Sequence, residues 1–440
     1  MGEYWITLQF VVLPLHSNMK QTLISVFALL FLAVPVLAEP EQWSRFRGPN
    51  GQGISTATGL PTQWSATENV AWKTPIPGEG WSSPVIWNDH IFLTSATGGG
   101  TECRVIAVDR KTGRILWNNM VFTQELTSQN PRNSRATPTP VTDGQRVYAV
   151  FPNGTFIALD FEGNVVWKNA ELDFYSGHGF GASPMLYGDL LITPINPSNR
   201  VSGEDRFLGW QRPWDQSFLL ALDKNTGKER WRTMRGMSRI SHSVPVVIQV
   251  DGKDQILSMV GDVIQSFEPA TGELIWTVRS SGEPAVPTPA IGDGMVFTST
   301  IGPILGIKTN GKGDVTDTHV VWQQRRNIPL VSSFLYVNSV LYSADNNGTF
   351  AALDPTTGDI LWDRSLPGGR PDSSPVYADG KIYVTTHEGI TTVLRPNANP
   401  RTPAEVVTTN DIGVTVQATF AIAGNQIFIR TDKELWCIGK

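Results

Sequence analysis

Two cysteines in 440 residues exclude a disulfide scaffold, an iron–sulfur site and any multi-cysteine zinc module. Charge is also scarce: Asp, Glu, Lys and Arg make up 17% of the chain, against roughly a quarter in ordinary soluble domains. The net charge of −5 contains no basic block, which excludes the stripe that nucleic-acid binding requires. There is no His-Glu-x-x-His zinc motif, no Gly-x-Ser-x-Gly elbow and no phosphate-binding glycine loop. Gly98-Gly99-Gly100 falls in a hairpin loop with no helix after it. Present in quantity are Gly (41), Pro (30) and Trp (15), within a 40% hydrophobic composition. That balance describes a folded, turn-rich, weakly acidic β protein.

The one long apolar run lies near the start. Met19-Lys20-Gln21-Thr22 precedes a run from Leu23 to Leu37, and Val36-Leu37-Ala38 stands before Glu39. These are the parts of a secretory signal, expected over 1–38 with 1–18 as an upstream extension. The run is short of the ~20 residues of a spanning helix, and no Cys follows it to take a lipid. The mature chain is therefore expected to be exported, periplasmic or extracellular, monomeric and without a transmembrane span.

Internal periodicity organises the rest. An aliphatic-Ala-aliphatic-Asp stretch, a turn, Thr-Gly and then Trp recurs at Asp109 to Trp117, Asp223 to Trp231 and Asp354 to Trp362. Variants run from Glu268 to Trp276 and from Asp160 to Trp167, and degenerate copies end at Trp322 and Trp72. Asp accepts from backbone amides two or three residues on, and Gly takes the positive φ that closes a short hairpin. Trp then lies on the return strand, where its ring can cover the neighbouring sheet. A second marker, a hydroxyl residue opening a strand, stands at Ser83, Thr139, Ser183, Ser243, Thr288, Ser333, Ser374 and Thr419. Spacing of roughly 40–50 residues is that of propeller blades. The reading is all-β, one eight-bladed β-propeller of four-stranded antiparallel blades over 39–440. Its last blade closes by pairing Asn69–Lys73 with the C-terminal strands, which removes an open edge.

The Ala-x-Asp-x-x-Thr-Gly-x-x-x-Trp unit resembles the tryptophan-motif repeats of quinoprotein-like propellers. These include the pyrroloquinoline-quinone (PQQ) dehydrogenases and the outer-membrane barrel-assembly lipoprotein. Trp43 to Asn50 and Asn133 to Pro140 look like an exported, non-dehydrogenase branch of PQQ-like repeat proteins. The resemblance implies that a dehydrogenase would carry an adjacent Cys pair, calcium held by carboxylate and amide groups, a catalytic Asp and often a Cys-x-x-Cys-His haem segment. Cys103 and Cys437 have no cysteine neighbours. No cofactor is expected, and PQQ with calcium is disfavoured.

Propeller connectivity puts the inter-blade loops and the loops between second and third strands on one face. Residues preceding each first strand then ring the channel mouth: Trp81, Ser82, Arg135, His178, Phe180, Arg239, His242, Arg326, Asp372 and Gln417. Insertions at 118–136, 170–181 and 195–216 lengthen loops of that face, the last carrying Trp210, Arg212 and Trp214. Trp210 and Trp214 flank Arg212 in a pattern suited to stacking. Shared location makes Asp372 and His242 a candidate acid–base pair. Trp43 to Arg47 is expected to pack against the body. Cys103 and Cys437 fall on third strands of neighbouring blades; an oxidising compartment favours a bridge and the strand spacing opposes one. No catalytic residue and no metal ligand is assigned. Three readings stand: an envelope binding or scaffold protein holding a protein segment or small polar ligand, a PQQ-type oxidoreductase, and an outer-membrane assembly factor.

Overall fold

The repeat turn closes as its chemistry dictates. In the computed structural model, the Thr112 amide and hydroxyl donate to Asp109 Oδ1 at 2.8 and 2.7 Å, and Gly113 takes φ 73°. The same Asp-to-Thr bond recurs at Asp223 and Thr226. Described residues are 42–126, 130–280, 282, 286–300 and 302–439; the expected export signal lies outside them.

Each repeat tryptophan crosses to the next blade. Trp117 donates Nε1–H to Phe161 O at 2.8 Å, Trp167 to Lys224 O at 2.8 Å, Trp322 to Pro355 O at 2.8 Å and Trp362 to Pro400 O at 3.1 Å. The glycine of the next Thr-Gly turn lies flat beneath the ring, so a Cβ at Gly227 would fall 2.5 Å from the Trp167 ring. Ring and turn therefore pin adjacent sheets at their outer rim. Trp276 is the exception: it is fully buried, and its Nε1 has no partner among the described residues. Blade 5 lacks the Asp-Thr-Gly turn that would accept from it. Instead Gly313–Asp314 pairs in parallel with Trp276 and Thr277, and a short helix, Thr316–His319, follows.

Eight sheets result. Blade 1 comprises Val85–Trp87, His90–Thr97, Glu102–Asp109 and Ile115–Thr123. The part of 118–136 up to Thr123 is therefore strand and not loop. Blade 8 comprises Ala421–Ala423, Gln426–Arg430 and Glu434–Ile438, with Val70–Pro75 as its outer strand. Lys73 pairs with Trp436 and Thr74 with Leu435, so the termini close the ring in one sheet. Cys103 and Cys437 are free and buried, and desolvation pushes both thiols up to about 12; there is no bridge.

The hydroxyl markers form a belt around the channel. At five of the eight the backbone N–H donates to the hydroxyl of the following blade: Ser83 to Thr139, Thr139 to Ser183, Thr288 to Ser333, Ser333 to Ser374 and Ser374 to Thr419, all at 2.9–3.0 Å; Ser243 N donates to Ser241 Oγ instead.

The central bore is filled by the chain's own segment 42–55, and the chain then runs out to Asn410 on the outer strand Glu405–Asp411. Gln42–Trp43 pairs with the first strand of blade 1, and Thr142 N of blade 2 donates to Ser44 O. Arg45 donates to Pro245 O at 2.8 Å, Arg47 to Phe334 O at 2.6 Å and Gln52 to Pro289 O at 3.3 Å. Gly53 and Ser55 bond Tyr377, and Trp64 N donates to Asn410 Oδ1 at 2.9 Å. Trp43 to Arg47 thus packs inside the ring. Burial pulls the Arg45 and Arg47 guanidiniums down to about 10 and about 9, so both remain charged at neutral pH.

Candidate functional site

The mouth of the filled bore holds a cavity of about 600 Å³, lined from several blades and by Phe46 of the inner segment. Six of the residues expected at the site line it: Trp81, His178, Trp210, His242, Asp372 and Gln417. The others point elsewhere. Arg239 is held by Asp262, at 2.5 Å from Nη2 and 3.0 Å from Nε. Arg326 pairs with Asp363 at 3.3 Å and Arg212 with Asp205 at 3.9 Å. Arg135 lies along Gly100, and the Trp214 ring lies along Gly209. Phe180 is buried against Phe174, and Ser82 accepts from the Thr94 amide at 3.1 Å and from Arg430.

Two histidines form one wall. His178 meets Trp210 edge-on, with ring centroids 4.7 Å apart, and its Nδ1 is buried without a partner among the described residues. His242 nests against Gly181, where a Cβ would lie 2.6 Å from its Nδ1. Only a glycine leaves that imidazole its place. Desolvation, with His178 nearby as a second cause, pulls His242 down to about 4, and burial lowers His178 as well. Both rings are therefore neutral at pH 7.

The opposite wall corrects the expected pairing. Asp372 faces His387, not His242: His387 Nδ1 lies 2.6 Å from Asp372 Oδ2, and Arg370 Nε lies 3.2 Å from Oδ1. His387, Arg370 and Arg132 line the cavity without having been singled out from sequence, and Phe46 comes from the Trp43–Arg47 stretch expected to pack against the body. A signal for His387 existed, since it sits in the turn between Lys381–Thr385 and Ile390–Arg395, which opens on the mouth face.

The cavity's donor set is unlike one that would hold calcium and a quinone cofactor. Calcium takes six to eight oxygen ligands, carboxylates foremost. Among the described lining residues Asp372 is the one carboxylate, already engaged on both oxygens. Among the described residues no group of three or more His, Cys, Asp or Glu gathers to hold a metal ion. These residues do not fit a calcium–quinone centre.

Comparison with known proteins agrees with the repeat chemistry. The family profile described as outer membrane protein assembly factor BamB matches residues 50–192 and 215–440. The unmatched stretch between them is the blade-3 insertion that carries Trp210. BamB of Salmonella typhimurium is 30% identical over 143 residues, covering 32% of this chain and 28% of that protein. A 1-butanol dehydrogenase (quinone) of Thauera butanivorans is 26% identical over 196 residues, covering 41% of this chain and 28% of that enzyme. The chain thus aligns with little more than a quarter of the length of either curated relative. The crystal structure of BamB from Moraxella catarrhalis superposes with a TM-score of 0.57 at 15% identity, over 84% of this chain and 97% of that one, a likeness of fold. With its Asp-Thr-Gly turns, docked tryptophans and eight closed blades, this chain belongs to the family of the outer membrane protein assembly factor BamB, the PQQ-like repeat propellers.

Proposed function

We propose that this protein is a non-catalytic binding protein of the cell envelope whose mouth cavity holds a small polar ligand. The observation that carries the reading is the origin of one wall. The insertion outside the family match places Trp210 against His178, and both side chains line the cavity. The cavity also has the size and mixed lining of small-molecule sites, and the filled bore closes its inner end. Envelope placement rests on the role of the related BamB as an outer membrane protein assembly factor. Among the described residues no helix is long and apolar enough to cross a membrane.

Native mass spectrometry tests this reading. Protein exposed to a small-molecule extract of cell envelopes should carry a saturable adduct that a Trp210→Ala, His178→Ala double variant lacks. A bare wild-type protein, or an adduct kept equally by the double variant, would overturn the reading.

A second reading, an outer-membrane protein assembly factor, is favoured by the family match alone. It expects envelope assembly components to co-purify with wild type and double variant alike.

A further inference from the structure

The polar groups of the cavity are unequal in kind. Asp372 is its one carboxylate among the described residues, and Arg370 and His387 already occupy its two oxygens. Two arginines, Arg132 and Arg370, line the same cavity as this single acid. With His178 and His242 held neutral by burial, the lining carries an unbalanced positive charge, although the whole chain carries −5. The opposite sign at the mouth attracts anions.

Donor groups are also gathered at the cavity. An indole N–H can only donate, and Trp81 and Trp210 both line the cavity. The belt hydroxyls of Thr139, Ser183, Ser333, Ser374 and Thr419 each accept a backbone N–H from the preceding blade. Each of these residues also lines the cavity, and each hydroxyl still carries a proton to donate. Phe46, Trp81 and Trp210 add flat apolar surface, against which the C–H face of a saturated ring can lie.

Resting on the binding reading above, we propose that the ligand is an anionic sugar: a polyhydroxylated ring bearing a carboxylate, sulfate or phosphate. Its oxyanion meets Arg132 and Arg370, its hydroxyl oxygens accept from the indoles and belt hydroxyls, and its ring stacks on the aromatic groups. A cavity of about 600 Å³ accommodates one or two such rings.

The test is titration calorimetry of the mature protein with galacturonate, glucose 6-sulfate, glucose 6-phosphate and glucose at fixed ionic strength. The expected result is saturable binding of at least one anion, at least tenfold tighter than glucose, weakening as salt rises. The anion that binds identifies the oxyanion. Arg132→Gln, with an unchanged melting temperature, should reduce that preference toward unity, and Arg132→Lys should restore part of it. Glucose binding as tightly as the anions would overturn this inference and leave the binding reading intact. Binding of none of the four, while native mass spectrometry still shows a cavity adduct, would also overturn it. Absence of both sugar binding and adduct would remove the two readings together.

Discussion

The indole of Trp322 lies over Gly358 of the next blade and donates Nε1–H to Pro355 O at 2.8 Å. A Cβ on Gly358 would fall 2.4 Å from that ring, whereas a Cβ on Gly380, at a similar positive φ, meets nothing within 4 Å. Gly358→Ala therefore combines left-handed strain with displacement of a buried ring. We expect it to cost about 2–4 kcal/mol, against about 1 kcal/mol for Gly380→Ala. Urea unfolding of the two variants measures the difference. Equal losses would show that the ring does not pin the blades.

Acid should weaken the fold through His242. Its folded-state pKa, about 4, lies below the ordinary 6.5, so unfolding takes up a proton between those values. The stability it contributes is complete above about pH 6.5, declines as pH falls toward 4 and levels off below. The loss is about 3 kcal/mol, with His178 adding in the same direction. Melting temperature against pH should slope less for His242→Gln than for wild type in that window. Parallel curves would mean that the imidazole is not desolvated.

Both thiols should be inert in the folded protein. Cys103 and Cys437 are buried and protonated at neutral pH, and the thiolate is the reactive form. An aromatic disulfide reagent should label neither until denaturant is added and then label both. Mass should not change under mild oxidation. Rapid labelling of the native protein would contradict the burial.

What the sequence made legible is what repeats. The Asp-Thr-Gly-Trp unit and the hydroxyl belt carry the same chemistry at most blades, so their spacing yields blade count, closure and strand order. The bore-filling segment does not repeat. Arg45, Arg47 and Gln52 bond carbonyls 200 or more residues away, and nothing local announces those partners. The cavity was half legible for a related reason. Connectivity locates loops at the mouth, but side-chain direction depends on register and on neighbouring charges. Arg239 follows Asp262 away from the cavity, while Asp372 takes its partner from the next loop of its own blade.

Truncation separates the roles of the N-terminal stretch. Without residues 42–75, the strand Glu434–Ile438 becomes an unpaired edge and should drive concentration-dependent oligomers in light scattering. Without 42–60 alone, Val70–Pro75 still covers that edge; the protein should stay monomeric with a lower melting temperature. Identical behaviour of the two would argue against closure by Val70–Pro75.

The claim that the mouth cavity is the binding site is tested most directly by NMR of ring-labelled histidine, with the sugar panel and envelope extract as titrants. His178, His242 and His387 line the cavity, whereas His90 and His319 do not. The account predicts saturable shifts at the first three and none at the other two. Shifts confined to His90 or His319, or an unchanged spectrum with every titrant, would contradict it.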